Sequence, residues 1–191
     1  MKMNRFIIKD LSNTVLSMLL KGVASIPMAV GVSVFLYICL VIYTKKKNLS
    51  VGRAKKTAII ALGFYLSALI HMAILSRPIG SISQIDLIPF NTPGGTRYII
   101  LYAVANAVIF VPLGILLPVV FSKMRNMGRS VFTGFILSFI IETCQLVLCC
   151  GVVQTEDIIM NTLGTAIGYL IYRVIVKMQR KFGGDGRGQK R

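Results

Sequence analysis

The chain has 191 residues, 55% of them hydrophobic, and its mean hydropathy is +0.75. Soluble globular domains usually contain roughly 45–50% apolar residues, so this composition excludes a soluble domain and indicates a membrane protein. The net charge is +16, but the Lys and Arg residues lie between and beyond the apolar segments, so we expect no nucleic-acid partner and interpret the charge as a topology signal.

The first 22 residues have the pattern of an amphipathic helix. Ile7 and Leu11 begin an apolar row at helical spacing, while Lys9, Ser17 and Lys21 fall on the opposite face. We therefore expect residues 1–22 to form a leader that lies in the membrane interface. A cleaved signal peptide is not expected, because the following apolar segment is long and a basic run stops it.

Spanning length is reached by five apolar windows, at residues 23–43, 58–75, 98–120, 131–150 and 158–176. Backbone groups in hydrocarbon need internal hydrogen bonds, so each window is predicted to be helical. The sequence thus predicts an all-α fold, a polytopic membrane helix bundle with about five transmembrane helices. Residues 177–191 are basic and end in a Gly-rich stretch, which predicts a disordered tail.

Basic residues are distributed unevenly between the two sides. Residues 44–57 carry six Lys and Arg, 121–130 carry three and 173–191 carry seven, against two in 76–97 and none in 151–157. Basic loops stay in the cytoplasm, so the C-terminus is predicted to be cytoplasmic and the N-terminus extracytoplasmic. The four basic residues of the leader run against this assignment and make the first span its weakest part.

Amide, imidazole and carboxyl side chains are rare inside the predicted spans, and the five that occur fall in the outer half: His71, Asn106, Glu142, Gln145 and Asn161. Polar groups in lipid normally face a neighbouring helix or a wet cavity. The spacings of Glu142–Gln145 and Asp157–Asn161 place each pair on one helix face, so we expect an outward-facing cleft. The alternative is that these groups only hydrogen-bond one another and hold the bundle together.

The outer loop between the second and third spans supplies further candidates. Pro89 and Phe90 are expected at the rim of the cleft, at headgroup level, and Arg77 or Arg97 is the cation expected to reach Glu142. Four cysteines without a C-x-x-C pair and a single His predict neither a metal site nor a cofactor.

Glycine and proline residues within the spans predict how the helices pack and bend. The G-x-x-x-G pair of Gly164 and Gly168 predicts close approach of another helix to the fifth span. Pro112 and Pro118 predict a bend in the third.

Four motifs recur here in an order that resembles the VanZ-like family of small bacterial membrane proteins, over about residues 77–172. They are Leu87-Ile88-Pro89-Phe90, Asn106 with Phe110-Val111-Pro112-Leu113-Gly114, Glu142-x-x-Gln145, and Asp157-x-x-x-Asn161-x-x-Gly164-x-x-x-Gly168. The resemblance implies a four-helix core, here residues 58–176, in the bacterial plasma membrane, to which residues 23–57 add one span and a basic loop. It also implies a link to tolerance of teicoplanin, a lipid-tailed glycopeptide that targets cell-wall precursors.

One departure from the family pattern concerns charge. The family commonly places an Arg and an acidic residue shortly before the Asp157 position, whereas this chain has no Arg there and carries Gln154 where the acid is frequent. If the family's Arg pairs with the residue equivalent to Glu142 or with an anionic ligand, this chain has either lost that interaction or makes it with Arg77 or Arg97.

Three functional hypotheses follow. The first is a non-enzymatic membrane protein that binds a lipid-linked wall precursor or a lipid-tailed glycopeptide, through Glu142, Gln145, Asn106, Asp157, Asn161, Arg77, Pro89 and Phe90. The second is an intramembrane enzyme acting on a lipid-linked substrate, with Glu142 or His71 as weak candidates for the acid or base. The third is a small transporter or accessory subunit, which would need a homo-oligomer. Membrane lipid is a partner in all three.

Overall fold

A computed structural model describes residues 2–47, 50–80, 82–86 and 96–183. The elements in chain order are α1 (Lys2–Lys46), α2 (Arg53–Ile70), a π-helical turn (His71–Leu75), β1 (Ile82–Asp86), α3 (Thr96–Val120), a 3₁₀ turn (Ser122–Arg125), α4 (Met127–Val147), β2 (Cys150–Gln154) and α5 (Thr155–Gly183). Pro89, Phe90 and residues 184–191 lie outside the described residues.

Five helices in these ranges are long and apolar enough to cross a membrane. Their candidate spans are Leu19–Lys46, Arg53–Leu75, Ile100–Val120, Met127–Val147 and Thr155–Lys181. The prediction of an all-α membrane bundle with about five transmembrane helices is therefore confirmed.

The leader and the first span form a single helix. α1 runs from Lys2 to Lys46 and contains Pro27 without ending there, so residue 22 is not a helix boundary. The helical conformation predicted for the leader is confirmed, and its place in the interface stays a prediction. α1 packs mainly against α2 through a row of small residues, Ser25, Ala29 and Ser33, all buried.

The predicted disordered tail is wrong over residues 177–183, where α5 continues to Gly183. The cause lies in the local sequence, since Lys177, Met178, Gln179 and Arg180 favour helix and no Gly or Pro interrupts them. The helix therefore extends past the last apolar turn into a basic end.

α3 and α5 form the most extensive helix pair of the bundle. A Cβ on Gly164 would lie 2.0 Å from the Ala107 carbonyl oxygen, and one on Gly168 would lie 2.0 Å from that of Val111. Real Cβ atoms do not approach so closely, so only glycine permits this contact. The interpretation of the G-x-x-x-G pair as a packing motif is confirmed.

The apolar core lies where α2, α3 and α4 meet. Leu62 and Leu69 of α2 contact Phe110 and Leu113 of α3 and Ile141 of α4. The Tyr65 hydroxyl of α2 also donates a hydrogen bond of 3.1 Å to the Ile109 carbonyl of α3. These contacts fix the helices that carry the polar residues described below.

Two short strands close one end of the bundle, and the sequence analysis did not predict them. β1 follows α2, β2 joins α4 to α5, and they pair in parallel from Ile82–Cys150 to Asp86–Gln154. The Gly80 amide donates to the Leu148 carbonyl at 3.1 Å and holds the connection before β1 against the end of α4. The pairing orders the segments that the charge count places outside the membrane.

Candidate ligand-binding cavity

A cavity of about 490 Å³ lies at the strand-capped end of the bundle. Six of the predicted site residues line it: Arg77, Asn106, Glu142, Gln145, Asp157 and Asn161. Apolar residues complete its wall, among them Leu69, Ile109, Phe110 and Ile141. Side chains that are up to 84 positions apart in sequence thus meet around one space, although their role in binding stays a prediction.

Asn106 and Asp157 connect α3 to α5 inside this cavity. The Asn106 Nδ2 donates to Asp157 Oδ1 at 2.5 Å. The interaction leaves Asp157 Oδ2 and Asn106 Oδ1 as further acceptors. Both residues are thereby held in fixed orientations on the cavity wall.

Glu142 is the most deeply buried acidic group of the set, with 4% of its surface exposed. Its Oε2 accepts a long hydrogen bond, 3.4 Å, from the backbone amide of Gln154. It interacts electrostatically with Arg77, which attracts it, and with Asp157, which repels it. The carboxyl groups of Glu142, Asp157 and Glu156 and the guanidinium of Arg77 therefore lie close enough at this end of the bundle to interact electrostatically.

Gln145 lies one turn beyond Glu142 and ties α4 to the π-helical turn. Its Nε2 donates to the Ala73 carbonyl at 3.0 Å, and the side chain is 3% exposed. Wide π-type turns occur frequently at functional sites, because they redirect carbonyl groups that an α-helix keeps for itself. Here the turn supplies an acceptor that orients Gln145 at the cavity.

Arg77 follows the π-helical turn, and its guanidinium passes over Gly151 of β2. A Cβ on Gly151 would lie 2.6 Å from Arg77 Nη1 and 3.2 Å from Gln145 Oε1. Arg77 also interacts electrostatically with both Glu142 and Asp157. Of the two cations offered by the sequence analysis, Arg77 is therefore placed to interact electrostatically with the carboxyl groups. The side chain of Arg97 lies outside what the structure describes.

Asn161 is 6% exposed and presents an unmatched acceptor. Its Nδ2 donates to Ser138 Oγ at 2.8 Å, whereas its buried Oδ1 has no hydrogen-bond partner within residues 2–47, 50–80, 82–86 and 96–183. A buried carbonyl oxygen without a partner costs about 1–3 kcal/mol. A ligand donor that reached Asn161 Oδ1 would recover that free energy.

His71 does not join the six predicted site residues that line the cavity. It begins the π-helical turn, is not among the residues that line the cavity, and has a buried Nδ1 without a partner in the described part of the chain. The proposed pairing of His71 with Glu142 in an enzyme therefore gains no support from the geometry.

Four lining residues with hydroxyl, ammonium or amide side chains were not among the predicted site residues: Ser17, Lys21, Tyr102 and Gln154. Ser17 and Lys21 belong to the polar face of the leader, which we assigned to the membrane interface. The available signal was Lys21 itself, a cation followed directly by an apolar span. Within the described residues, no group of three or more His, Cys, Asp or Glu side chains is placed to hold a metal ion.

The fold and the cavity define a multi-span helical membrane protein with a polar cavity at one end. The VanZ/LLP1 family model matches residues 62–176. The chain belongs to this family. It is 29% identical to Protein VanZ of Enterococcus faecium over 118 residues, which cover 58% of this chain and 70% of that protein. No solved structure matches the chain significantly. α1 lies entirely outside the matched residues.

Proposed function

We propose that the strand-capped cavity binds an amphiphilic ligand of the cell envelope, either a lipid-linked wall precursor or a lipid-tailed glycopeptide, and that this binding contributes to teicoplanin tolerance. The observation that carries the proposal is the convergence of α3, α4 and α5 on one cavity through Asn106, Glu142 and Asp157. Groups that only stabilised the bundle would be satisfied by one another, but Asn161 Oδ1 has no hydrogen-bond partner in the part of the chain that the structure describes.

The chemistry of the wall suits an amphiphile. One part carries carboxyl, amide and guanidinium groups, and another is formed by Leu69, Ile109 and Phe110. The volume of about 490 Å³ falls within the range of about 300–1,000 Å³ found for small-molecule sites. It accommodates a headgroup or a few sugar units and leaves an acyl tail to the surrounding lipid.

The orientation needed for this function agrees with the distribution of basic residues. The helix ends and the 3₁₀ turn at the opposite end of the bundle carry Lys45, Lys46, Arg53, Lys123 and Arg125. Placing them in the cytoplasm makes the cavity face outward from the plasma membrane, where cell-wall precursors are used. The C-terminus is then cytoplasmic and the N-terminus extracytoplasmic.

The test is to express the chain in a susceptible Gram-positive host and compare the inhibitory concentration of teicoplanin with that of a glycopeptide lacking a lipid tail. We expect tolerance to rise for the lipid-tailed compound by about tenfold, as for an interaction that contributes about 1.4 kcal/mol, and little for the other. Equal tolerance of both compounds would rule out recognition of an amphiphile, and unchanged susceptibility at confirmed expression would rule out the link to teicoplanin.

A further inference from the structure

One row of residues along α1 is buried against the bundle over part of its length and lines the cavity over the rest. Ser17, Lys21, Ser25, Ala29 and Ser33 follow one another at intervals of four, so they form a continuous ridge on the helix. Ser25, Ala29 and Ser33 are buried, whereas Ser17 and Lys21 line the cavity. The same ridge therefore packs α1 against the bundle and then supplies polar groups to the site.

Lys21 is a charged residue in an apolar stretch of α1. Leu19, Leu20 and Val23 are exposed apolar side chains of the kind that face lipid. A Lys at the end of a span can extend to the interface without any site, but this one is also a wall residue of a cavity that contains Arg77. Two cations from different segments thus share one space.

The site also presents acceptors. Glu142 and Asp157 line the cavity as carboxyl groups, and Asn161 Oδ1 is a buried acceptor with no partner in the described ranges. A ligand with negative charge alone would oppose the carboxyl groups, and one with donors alone would leave the two cations unused. The complementary headgroup carries an anionic group beside hydroxyl donors.

Phosphate is the anionic group that fits these cations. Arg binds phosphate oxygens through a planar pair of N–H groups, and Lys binds them as a compact charge. Relying on the proposed function, we propose that α1 completes the binding site, and that Lys21 and Arg77 together select a phosphate-bearing amphiphile whose headgroup also offers hydroxyl donors to Glu142, Asp157 and Asn161. α1 lies outside the residues that the family model matches, so Lys21 adds to the part of the site that lies within them.

The test uses purified full-length protein in detergent and measures bound lipid by native mass spectrometry. Phosphatidylglycerol supplies both phosphate and hydroxyl groups, phosphatidylcholine supplies phosphate without hydroxyl donors, and diacylglycerol supplies a hydroxyl without phosphate. We expect phosphatidylglycerol to bind about tenfold more tightly than either comparator, which corresponds to one hydrogen bond to a charged group.

Variants identify the residues responsible. Lys21→Gln and Arg77→Gln are each expected to weaken phosphatidylglycerol binding by about tenfold, while Lys21→Arg retains it. Lys45→Gln is the matched control, because it removes the same charge from an exposed position at the other end of α1. Equal binding by Lys21→Gln and Lys45→Gln would overturn the role of α1.

The remaining outcomes separate this inference from the function on which it rests. Displacement of phosphatidylglycerol by glycerol phosphate would assign phosphate recognition to the headgroup alone, and displacement by added phosphatidylglycerol but by neither glycerol phosphate nor diacylglycerol would assign it to the intact lipid. Equal retention of diacylglycerol would overturn phosphate selection and leave amphiphile binding in place. Retention of no amphiphile by the wild-type chain would overturn the proposed function as well.

Discussion

Replacing Glu142 with Gln is expected to abolish most ligand binding while leaving the bundle folded. Gln has nearly the same shape and keeps a carbonyl oxygen that accepts from the Gln154 amide, so the local packing survives. The ionisable carboxyl group, which faces the cavity and interacts electrostatically with Arg77, is lost. Hydrogen bonds to charged groups contribute about 1.5–3 kcal/mol, so we expect at least about a tenfold loss of affinity.

Teicoplanin tolerance and protein abundance, measured together in the expression host, give the readout. Thr143→Val is the matched control, since it is isosteric and lies on the next residue of α4, with its exposed hydroxyl donating only to the Phe139 carbonyl. Tolerance should fall with Glu142→Gln and persist with Thr143→Val. If Glu142→Gln retained full tolerance at equal abundance, the carboxyl group would have no part in binding.

Replacing Gly164 with Ala is expected to destabilise the bundle strongly. Its new Cβ would lie 2.0 Å from the Ala107 carbonyl oxygen and 2.9 Å from the Ala107 Cα, both of them backbone atoms that cannot turn aside. Overpacking of this kind costs about 1–3 kcal/mol, against a gain of about 1 kcal/mol for Ala over Gly in a helix. The unavoidable backbone clash puts the cost at the upper end, for a net loss of about 2 kcal/mol.

Thermal unfolding in detergent measures this loss. Gly31→Ala is the matched control, because it lies in a spanning helix and a Cβ there meets no atom within 4 Å. The two variants are expected to shift the melting temperature in opposite directions, downward for Gly164→Ala and slightly upward for Gly31→Ala. A Gly164→Ala protein that melts like the wild type would mean that α3 and α5 are further apart than described.

The sequence was sufficient to predict the helices because hydrophobicity and length determine them in lipid. The close approach of another helix to the fifth span followed from Gly164 and Gly168, but the sequence did not identify α3 as that helix. In the same way, polar residues in apolar surroundings marked Glu142, Gln145 and Asn161, and all three line one cavity.

Long-range contacts were beyond the reach of local patterns. The pairing of β1 with β2 joins segments whose strands are too short to show a period, and it depends on the position of α4 between them. The position of Arg77 beside the cavity depends on the passage of its guanidinium over Gly151, which no spacing encodes.

The role of α1 was missed for a different reason. The polar face of residues 1–22 was predicted to contact water and lipid headgroups. An amphipathic pattern indicates only that one face of a helix meets polar surroundings, and those surroundings can equally be a cavity. In the folded chain Ser17 and Lys21 meet the cavity. The polar face of an isolated amphipathic helix contacts water and headgroups, whereas that of a helix packed in a bundle can contact polar groups of its neighbours.

The most direct measurement of amphiphile binding is photolabelling of the protein in membrane vesicles. The probe is a teicoplanin derivative with a diazirine on its sugar part, which the cavity is proposed to hold, and the labelled peptides are mapped by mass spectrometry. We expect label on the cavity walls of α3, α4 and β2, reduced by excess unmodified teicoplanin and lost in Glu142→Gln. Label spread over the outer faces of the helices, at residues such as Val30 and Phe139, and unaffected by competitor would contradict binding in the cavity.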